Sequence, residues 1–199
     1  MLFDVLAPFY NPAARLVGLT HEPAVRLLAP RPEDLILDVG GGTGIGAHTA
    51  ARLGGCRTVI ADRNWAMLRR VPRVARVAPV LADATALPLP DASCDGALCL
   101  DALHHFRDPR AALREIARVL RPGRRLVIEE LDASRRPVRA LGHLEALFGE
   151  PGRFWAPREL AALVAGAGFR PTEVRVEGFV LFVVAVCQER RVSPSEVSK

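Results

Sequence analysis

The apolar positions of this chain alternate between two periods. Short apolar runs bounded by glycine, proline or acidic residues are typical of buried strands. Such runs lie at 35–39, 57–61, 76–81, 95–101 and 124–130. The segments between them carry apolar residues at helical spacing, which predicts helices at about 44–53, 64–70 and 108–120. Strands that alternate with helices in this way indicate a parallel sheet with right-handed crossovers.

After residue 131 the pattern changes. Two helices and then two strands are predicted, at 137–148, 157–167, 172–176 and 180–187. The two strands turn near Gly178 and are expected to form an antiparallel edge on the parallel sheet. The fold predicted is a three-layer, doubly wound α/β fold with a mostly parallel seven-stranded sheet and an antiparallel C-terminal strand, which is Rossmann-like. Residues 1–187 are expected to form one domain, with a helical cap at 1–30 and a disordered tail at 188–199.

The segment from Leu37 to Gly44 is the most informative part of the sequence. It places Asp38 at the end of a predicted strand, followed by glycines at Gly40, Gly42 and Gly44 and then a predicted helix. Glycine lacks a Cβ atom, so such a turn can adopt positive φ and let a ligand lie against bare backbone. The helix N-terminus adds N–H groups that a ligand can reach. The pattern therefore favours a ligand site, and a tight turn without a ligand is the alternative.

Composition excludes several kinds of chemistry. Lys199 is the only lysine, which removes P-loop phosphate binding and Schiff-base catalysis. The net charge of +5 comes from arginines spread over the whole chain, which favours ion pairs and solvated faces over nucleic-acid binding. The four cysteines are scattered, which predicts reduced thiols in a cytoplasmic protein and no metal site. No apolar stretch approaches the roughly 20 residues of a membrane span, and no secretory signal is expected.

Acidic residues lie at the ends of four predicted strands, at Asp38, Asp62, Asp83 and Asp101. In an open α/β sheet, ligands bind beyond the carboxyl ends of the strands, where the strand order reverses. Asp62 could accept both hydroxyl groups of a ribose, and Asp83 could receive the amino group of an adenine. Asp38 would face a positively charged group. A ligand with an ammonium and a sulfonium is the better electrostatic match to this set, although a pyrophosphate at the helix N-terminus stays open.

Several ordered motifs resemble those of class I S-adenosylmethionine-dependent methyltransferases. They are 37–44 for the glycine motif, Asp62 for the ribose-binding acid, 82–89 for the adenine side, 91–95 for the entry to strand four and 113–123 for the following helix and turn. Within that superfamily the chain is most similar to the ubiquinone/menaquinone-biosynthesis methyltransferase branch and to related generic small-molecule methyltransferases. The resemblance implies S-adenosylmethionine as cofactor and a small molecule as methyl acceptor, and leaves a homodimer open.

The resemblance also implies a set of site residues. The implied cofactor contacts are Tyr10, Asp38, Gly40, Gly42, Asp62, Arg63, Asp83, Ala84 and Leu100. Arg63 and Ala84 would act mainly through their backbone. Residues 131–156 would be a short insertion on the substrate side, and its apolar stripe is expected either to wall the acceptor pocket or to pack on the core. The stripe consists of Val138, Leu141, Leu144, Leu147 and Phe148.

His104 and His105 follow the fourth strand, near the expected position of the methyl group. Histidine titrates near neutral pH and could remove a proton from the acceptor, which makes the pair the catalytic candidates. Alternatively, both line the pocket or cap the helix at 108–120, and positioning alone accelerates transfer. Two other functions stay open. One is a non-catalytic S-adenosylmethionine-binding regulator or scaffold, and the other is a nicotinamide oxidoreductase using the Gly42-x-Gly44-x-x-Ala47 pattern.

Overall fold

The structure, a computed structural model, describes residues 21–147 and 153–189, apart from the side chains of residues 141 and 144–147. The helices of these ranges are α1 (Glu22–Leu28), α2 (Ile45–Gly54), α3 (Trp65–Leu68), α4 (Pro109–Val119), α5 (Arg136–Leu147) and α6 (Pro157–Ala165). A short 3₁₀ helix spans Leu103–His105. The strands are β1 (Leu35–Val39), β2 (Arg57–Asp62), β3 (Val77–Leu81), β4 (Cys94–Leu100), β5 (Leu120–Leu131), β6 (Phe169–Glu177) and β7 (Val180–Cys187).

The strands form one seven-stranded sheet in the order β3-β2-β1-β4-β5-β7-β6. The five strands β3, β2, β1, β4 and β5 are all parallel to one another. The last two strands are different, because β7 pairs antiparallel with both β5 and β6. This arrangement confirms the predicted fold class, including the antiparallel strands at the C-terminal side of the sheet.

The core occupies both faces of the sheet, since successive side chains of a strand point to opposite faces. Ile36 and Leu98 lie on the face that packs against α1 and α2. Leu37 and Cys99 lie on the opposite face, which packs against α4 and α6. The central strands are thus buried on both faces, which explains why they form mostly apolar runs in the sequence.

Some element boundaries differ from the prediction. Helix α4 begins as expected, with Asp108 as N-cap, but it ends at Val119, and β5 begins at Leu120 rather than at 124. Leu120 is extended because its side chain is buried in the core and its backbone pairs with Cys94. Helix α3 is shorter than the predicted 64–70: Asn64 is its N-cap, and after Leu68 the chain continues as a tighter turn in which the N–H of Arg70 donates to the carbonyl of Met67.

The strand order reverses between β1 and β4, because β2 lies on the other side of β1. Ligands of doubly wound sheets bind at the carboxyl ends of the strands that flank such a reversal. Asp38 lies in β1, Asp62 is the last residue of β2, and Asp101 directly follows β4. Asp83 comes two residues after the end of the parallel strand β3, so the fold brings all four predicted acids to the same edge of the sheet.

Part of the prediction falls on residues that the structure does not describe. These are Tyr10 with the rest of residues 1–20, the side chains of Leu141, Leu144 and Leu147, Phe148, and residues 190–199. Val138, the other member of the apolar stripe, is buried. The role of α5 as wall or core helix, the single domain and the disordered tail stay predictions. None of the described helices is both long and apolar enough to cross a membrane.

Candidate active site

A cavity of about 980 Å³ opens at the carboxyl ends of β1, β2 and β4. It contains all the predicted site residues that the structure describes. These are Asp38, Gly40, Gly42, Asp62, Arg63, Asp83, Ala84, Leu100, His104 and His105. One side of the cavity is the glycine turn with the ends of β2 and β3, and the other side is the 3₁₀ helix after β4 with Phe154. The predicted residues therefore converge from four separate segments of the chain.

Two glycines of the turn have different structural roles. Gly40 and Gly42 have φ values of +72° and +53°, which disfavour residues with a Cβ atom. A Cβ at Gly40 would lie 2.6 Å from Cβ of Ala102, so close packing alone requires glycine there. A Cβ at Gly42 would have Cε of Met67, at 3.2 Å, as its nearest neighbour. Gly42 therefore presents bare backbone to the cavity, as a ligand cradle requires.

Asp38 is a buried carboxylate in which only one of the two oxygens has a hydrogen-bond partner among the described residues. Its Oδ2 accepts a hydrogen bond of 2.9 Å from the backbone N–H of Ala47, at the start of α2. Its Oδ1 is buried and has no hydrogen-bond partner within the described residues. Burial raises the pKa of Asp38 to about 6, although the charge of His21 and the Ala47 hydrogen bond oppose the shift. Such a group is suited to bind a cationic ligand atom, which would supply the missing partner.

Asp62 connects the end of β2 to the glycine turn. Its Oδ2 accepts a hydrogen bond of 2.9 Å from the backbone N–H of Gly42, and its Oδ1 accepts one of 2.7 Å from Asn64. Burial raises the pKa of this carboxyl, and the two backbone hydrogen bonds oppose that shift. Each carboxylate oxygen can accept a further hydrogen bond, so Asp62 can hold the turn and a diol at once.

The segment after β3 is fixed by α4. Asp83 is exposed, and its Oδ1 accepts hydrogen bonds from the backbone N–H and hydroxyl of Thr85, which lower the pKa of Asp83. Farther along, the backbone N–H of Leu87 donates to Glu115 at 2.9 Å. The guanidinium of Arg118 donates to the carbonyl of Leu87 at 3.0 Å. These contacts hold the predicted adenine-side segment against α4.

His104 and His105 line the cavity at the 3₁₀ helix, and their rings lie 3.8 Å apart. His104 is buried, and its Nδ1 lies 2.6 Å from Oε2 of Glu130. Burial lowers the pKa of His105 to about 3, and the charges of His104 and Arg63 add to this effect. His105 is therefore neutral near physiological pH. The ring of Phe154 covers His104 at a centroid distance of 4.3 Å.

The sequence analysis missed four residues near this site: His21, Glu129, Glu130 and Phe154. His21 lines the cavity, and its Nδ1 lies 2.7 Å from Oε1 of Glu129. Burial lowers the pKa of His21, but the Glu129 hydrogen bond and the nearby carboxylates outweigh it, so the pKa is raised. The two consecutive glutamates at the end of an apolar strand were an available signal, because buried acids need partners.

Comparison with known proteins identifies the family. A family model described as "Methyltransferase domain" matches residues 37–128. The ubiquinone/menaquinone biosynthesis C-methyltransferase of Syntrophotalea carbinolica is 31% identical over 189 residues, which cover 89% of this chain and 78% of that protein. The chain belongs to the class I S-adenosylmethionine-dependent methyltransferases. S-Adenosylmethionine is therefore the cofactor, which confirms the prediction.

Two further known proteins are similar to this methyltransferase. An O-methyltransferase of Aspergillus sclerotiorum is 37% identical over 164 residues, 78% of this chain. The chain spans only 61% of the length of that protein. An S-adenosylmethionine-dependent methyltransferase of Thermotoga maritima has the same fold, with a TM-score of 0.75 at 23% identity, covering 92% of this chain and 97% of that chain. The half-satisfied Asp38 and the open backbone at Gly42 fit a ligand that carries an ammonium group and needs close backbone contact.

Proposed function

We propose that this methyltransferase transfers the methyl group of S-adenosylmethionine to a small-molecule acceptor. The observation that carries the proposal is the continuity of the cavity. It extends from Asp38, Gly42 and Asp62 to His104 and Phe154. Its volume of about 980 Å³ lies at the upper end of the range for small-molecule sites, roughly 300–1,000 Å³. The cavity thus has room for an acceptor beside the cofactor.

The end of the cavity around Asp38, Gly42 and Asp62 is proposed to be the cofactor half of the site. It binds S-adenosylmethionine through residues that the fold holds in position. The carboxylate of Asp38 binds the ammonium group, and that of Asp62 accepts the ribose hydroxyls. The segment of Asp83 and Ala84 contacts the adenine, and Arg63 contacts the adenosine through its backbone. When bound, S-adenosylmethionine supplies a methyl group on a positively charged sulfur, which makes the methyl carbon electrophilic. Tyr10 and Leu100 remain predicted contacts.

The acceptor half is proposed to lie against His104, His105 and Phe154. His105 is neutral, so its ring can accept a hydrogen bond, while Phe154 supplies an apolar wall. Holding the acceptor in line with the methyl group contributes to the rate, because well-oriented partners reach effective molarities of about 10⁵–10⁸ M. His104 and His105 are the proposed catalytic residues for removing a proton from the acceptor.

The competing proposal is a regulator or scaffold that binds the cofactor without catalysis. A regulator would be expected to fill the acceptor half with side chains, whereas the cavity reaches His104, His105 and Phe154. The decisive experiment incubates the purified chain with methyl-labelled S-adenosylmethionine and a metabolite extract, followed by identification of labelled products. A labelled small molecule supports the enzyme. Tight cofactor binding without any labelled product favours the regulator.

Replacing Asp62 by alanine should weaken cofactor binding about tenfold to more than a hundredfold. The change removes the proposed ribose acceptor, and losing hydrogen bonds to a charged group costs about 1.5–3 kcal/mol. It also leaves the N–H groups of Gly42 and Asn64 without their acceptor. Calorimetric titration with S-adenosylmethionine measures the loss.

Asp95→Ala is the matched control for Asp62→Ala. Asp95 also accepts a backbone hydrogen bond, from Leu35 at 3.0 Å, but it lies near the amino ends of the strands. We expect the control to lose stability and to keep the wild-type affinity. Unchanged affinity in Asp62→Ala would remove Asp62 from the cofactor site.

We also infer a cytoplasmic location and a protein that does not bind nucleic acid. Cys56, Cys94 and Cys99 are buried thiols outside any disulfide, which supports a reducing compartment. Arg118 and Arg121 form ion pairs with acidic residues of the chain, which supports a structural role for the arginines rather than nucleic-acid binding. Fractionation of the source cells and a nucleic-acid binding assay test the two inferences, and solution mass measurement tests the homodimer.

A further inference from the structure

The segment from the end of β2 to the end of β3 carries positive charge without any acidic residue. Asp62 and Asp83 flank it, and the residues between them include five arginines and no aspartate or glutamate. The net charge of the segment is therefore +5, the same as that of the whole chain, so the rest of the chain is neutral. The five residues are Arg63, Arg69, Arg70, Arg73 and Arg76.

These arginines are not neutralised by neighbouring carboxylates. Within the described residues none of the five forms an ion pair, whereas Arg118 pairs with two acidic side chains. Arg70 and Arg76 donate hydrogen bonds to backbone carbonyls, which carry no net charge. Arg69 and Arg73 are exposed. The positive charge of the segment is therefore available to an anionic partner.

Large apolar side chains are exposed on the same segment. Trp65, Val74 and Leu81 have exposed fractions of 63%, 47% and 58%. They are three of the five large apolar side chains that are exposed in the described part of the chain. The other two, Val174 and Phe179, lie in or next to β6, at the opposite edge of the sheet. Apolar exposure and uncompensated positive charge thus coincide at the β3 edge, as on an interaction surface.

The fold distributes these side chains along the length of β3. This strand is the outermost one and pairs only with β2. Leu81 ends β3 beside Asp62, and Trp65 begins α3 three residues after Asp62. At the other end of β3, the N–H of Val77 donates to the carbonyl of Val74. Exposed apolar side chains therefore lie at both ends of a strand that extends over about 16 Å.

We propose that this surface, which we name the basic edge, docks on a membrane with anionic lipid headgroups. Arginines are attracted to such headgroups, and exposed apolar side chains enter the boundary between the headgroups and the acyl chains. Tryptophan is enriched at that boundary, because its ring is apolar and its N–H is polar. The basic edge consists of Arg63, Trp65, Arg69, Arg70, Arg73, Val74, Arg76 and Leu81.

Two other partners fit the basic edge less well. Single-stranded nucleic acid is bound by arginines and by stacking on aromatic rings, and Val74 and Leu81 have no part in such binding. A strand of another protein, added to β3, would need the outward N–H groups of this edge. Pro79 lies in the middle of β3 and has no N–H, and proline in an edge strand ordinarily turns that gap towards solvent. A lipid surface needs neither stacking rings nor strand donors.

The basic edge is continuous with the cavity. Arg63 and Trp65 belong to it, and both are exposed residues that also line the cavity. Docking of the basic edge therefore places the opening of the cavity at the surface of the bilayer. An acceptor that partitions into the bilayer would reach the site from there.

The first experiment measures co-sedimentation of the purified chain with lipid vesicles. Phosphatidylcholine vesicles that contain phosphatidylglycerol should bind the chain, and pure phosphatidylcholine vesicles should bind it far more weakly. Salt at about 1 M should release the chain, because the Debye length falls from about 8 Å at physiological ionic strength to about 3 Å. Equal binding to both kinds of vesicle, or binding to neither, overturns the proposal.

Paired arginine variants separate the basic edge from the net charge of the chain. Arg69→Gln combined with Arg73→Gln should weaken binding to the anionic vesicles about thirtyfold, roughly fivefold for each arginine. The matched control, Arg114→Gln with Arg158→Gln, removes the same charge from exposed positions of α4 and α6 and should weaken binding far less. Equal losses in the two variants mean that net charge alone drives binding, and the basic edge is then not the docking surface.

The apolar contribution is tested in the same way. Val74→Ser combined with Leu81→Ser should weaken vesicle binding about tenfold, because two apolar side chains no longer leave water. Val174→Ser with Phe179→Ser makes a comparable change at the opposite edge of the sheet and should bind as the wild type does. Wild-type binding by the Val74 and Leu81 variant would contradict insertion of the basic edge.

Tryptophan fluorescence locates the contact with the membrane. The chain has two tryptophans, of which Trp155 is buried and Trp65 is exposed. Anionic vesicles should protect Trp65 from acrylamide, and lipids brominated on their acyl chains should quench it. Both effects should be absent in Trp65→Phe. Vesicle binding that leaves Trp65 open to acrylamide means that another face touches the membrane, and it overturns the proposal.

A gel-shift assay with RNA and DNA tests the alternative partner. Nucleic-acid binding that is lost in the Arg69 and Arg73 variant, by a chain that does not sediment with anionic vesicles, would replace the membrane by nucleic acid. None of these measurements uses the cofactor or a methyl acceptor. The docking proposal can therefore fail while the proposed methyltransferase function stands.

Discussion

Replacing Gly42 by valine is expected to abolish cofactor binding, with at least a hundredfold loss of affinity on the order of 3 kcal/mol. The new Cβ would lie 3.2 Å from Met67 and would direct a branched side chain into the cavity where the cofactor must approach the backbone. The backbone φ of +53° is also unfavourable for a β-branched residue, which costs about 1–3 kcal/mol of stability. Calorimetry with S-adenosylmethionine and thermal unfolding measure the two effects.

Gly178→Val separates backbone strain from blockage of the site. Gly178 has a similar φ of +62° and lies in the turn between β6 and β7, where a Cβ atom would have no neighbour within 4 Å. We expect this variant to lose a similar amount of stability and to bind the cofactor normally. Normal binding by Gly42→Val would make the glycine turn a purely structural feature, and the proposed cofactor site would have to be moved.

Replacing Asp38 by asparagine should have opposite effects on stability and on binding. The pKa of Asp38 rises from the ordinary 3.8 to about 6, chiefly through burial, so the ionised carboxylate costs the cofactor-free fold about 3 kcal/mol. The asparagine variant should therefore be more stable by up to this amount above pH 6. Without the negative charge it should bind S-adenosylmethionine about tenfold to more than a hundredfold more weakly.

The pH dependence of unfolding shows whether the charge of Asp38 stabilises or destabilises the folded protein. A raised carboxyl pKa means that the folded state binds more protons than the unfolded state between the two pKa values. The contribution of Asp38 to the stability of the wild type should thus fall as pH rises from about 4 to about 6, and the advantage of Asp38→Asn over the wild type should grow over the same interval. Denaturant unfolding at a series of pH values measures both curves.

Asp132→Asn is the control for this behaviour. Asp132 is equally buried, but its two oxygens accept hydrogen bonds of 2.8 and 2.7 Å from the backbone and hydroxyl of Ser134. Removing its charge should destabilise the protein, because the partners of a satisfied carboxylate lose an acceptor. A stability loss in Asp38→Asn at pH above 6 would contradict the half-satisfied state of Asp38.

The central strands and the cofactor half of the site could be predicted because their signals are local. The runs at 35–39 and 57–61 match β1 and β2 almost residue for residue, since strands in the middle of a parallel sheet are mostly apolar. The glycines of the turn and Asp62 follow directly from these strands, so the same local pattern located them. The start of β5 was misplaced, because Pro122 and Gly123 are typical of a helix end and Leu120 already pairs with β4.

The acceptor half was predicted less completely, because its contacts join distant parts of the chain. His21 is 108 residues from Glu129, and His104 is 26 residues from Glu130. No periodicity relates such positions, and an acidic residue at a strand end is ordinarily assigned to the surface. Phe154 contacts the ring of His104 only because the chain returns to the sheet after α5. Tertiary contacts of this kind become visible only in the folded molecule.

The position of β7 affects how this chain folds while it is being synthesised. β7 is the last strand of the described chain, yet it lies inside the sheet, where residues 180–187 pair with β5 on one side and β6 on the other. Until a ribosome has released that segment, β5 presents an unpaired edge with the buried residues Leu126, Val127 and Ile128 next to it. Nascent chains at this stage are therefore open to aggregation and to binding by chaperones. Completion of the sheet depends on the part of it that is made last.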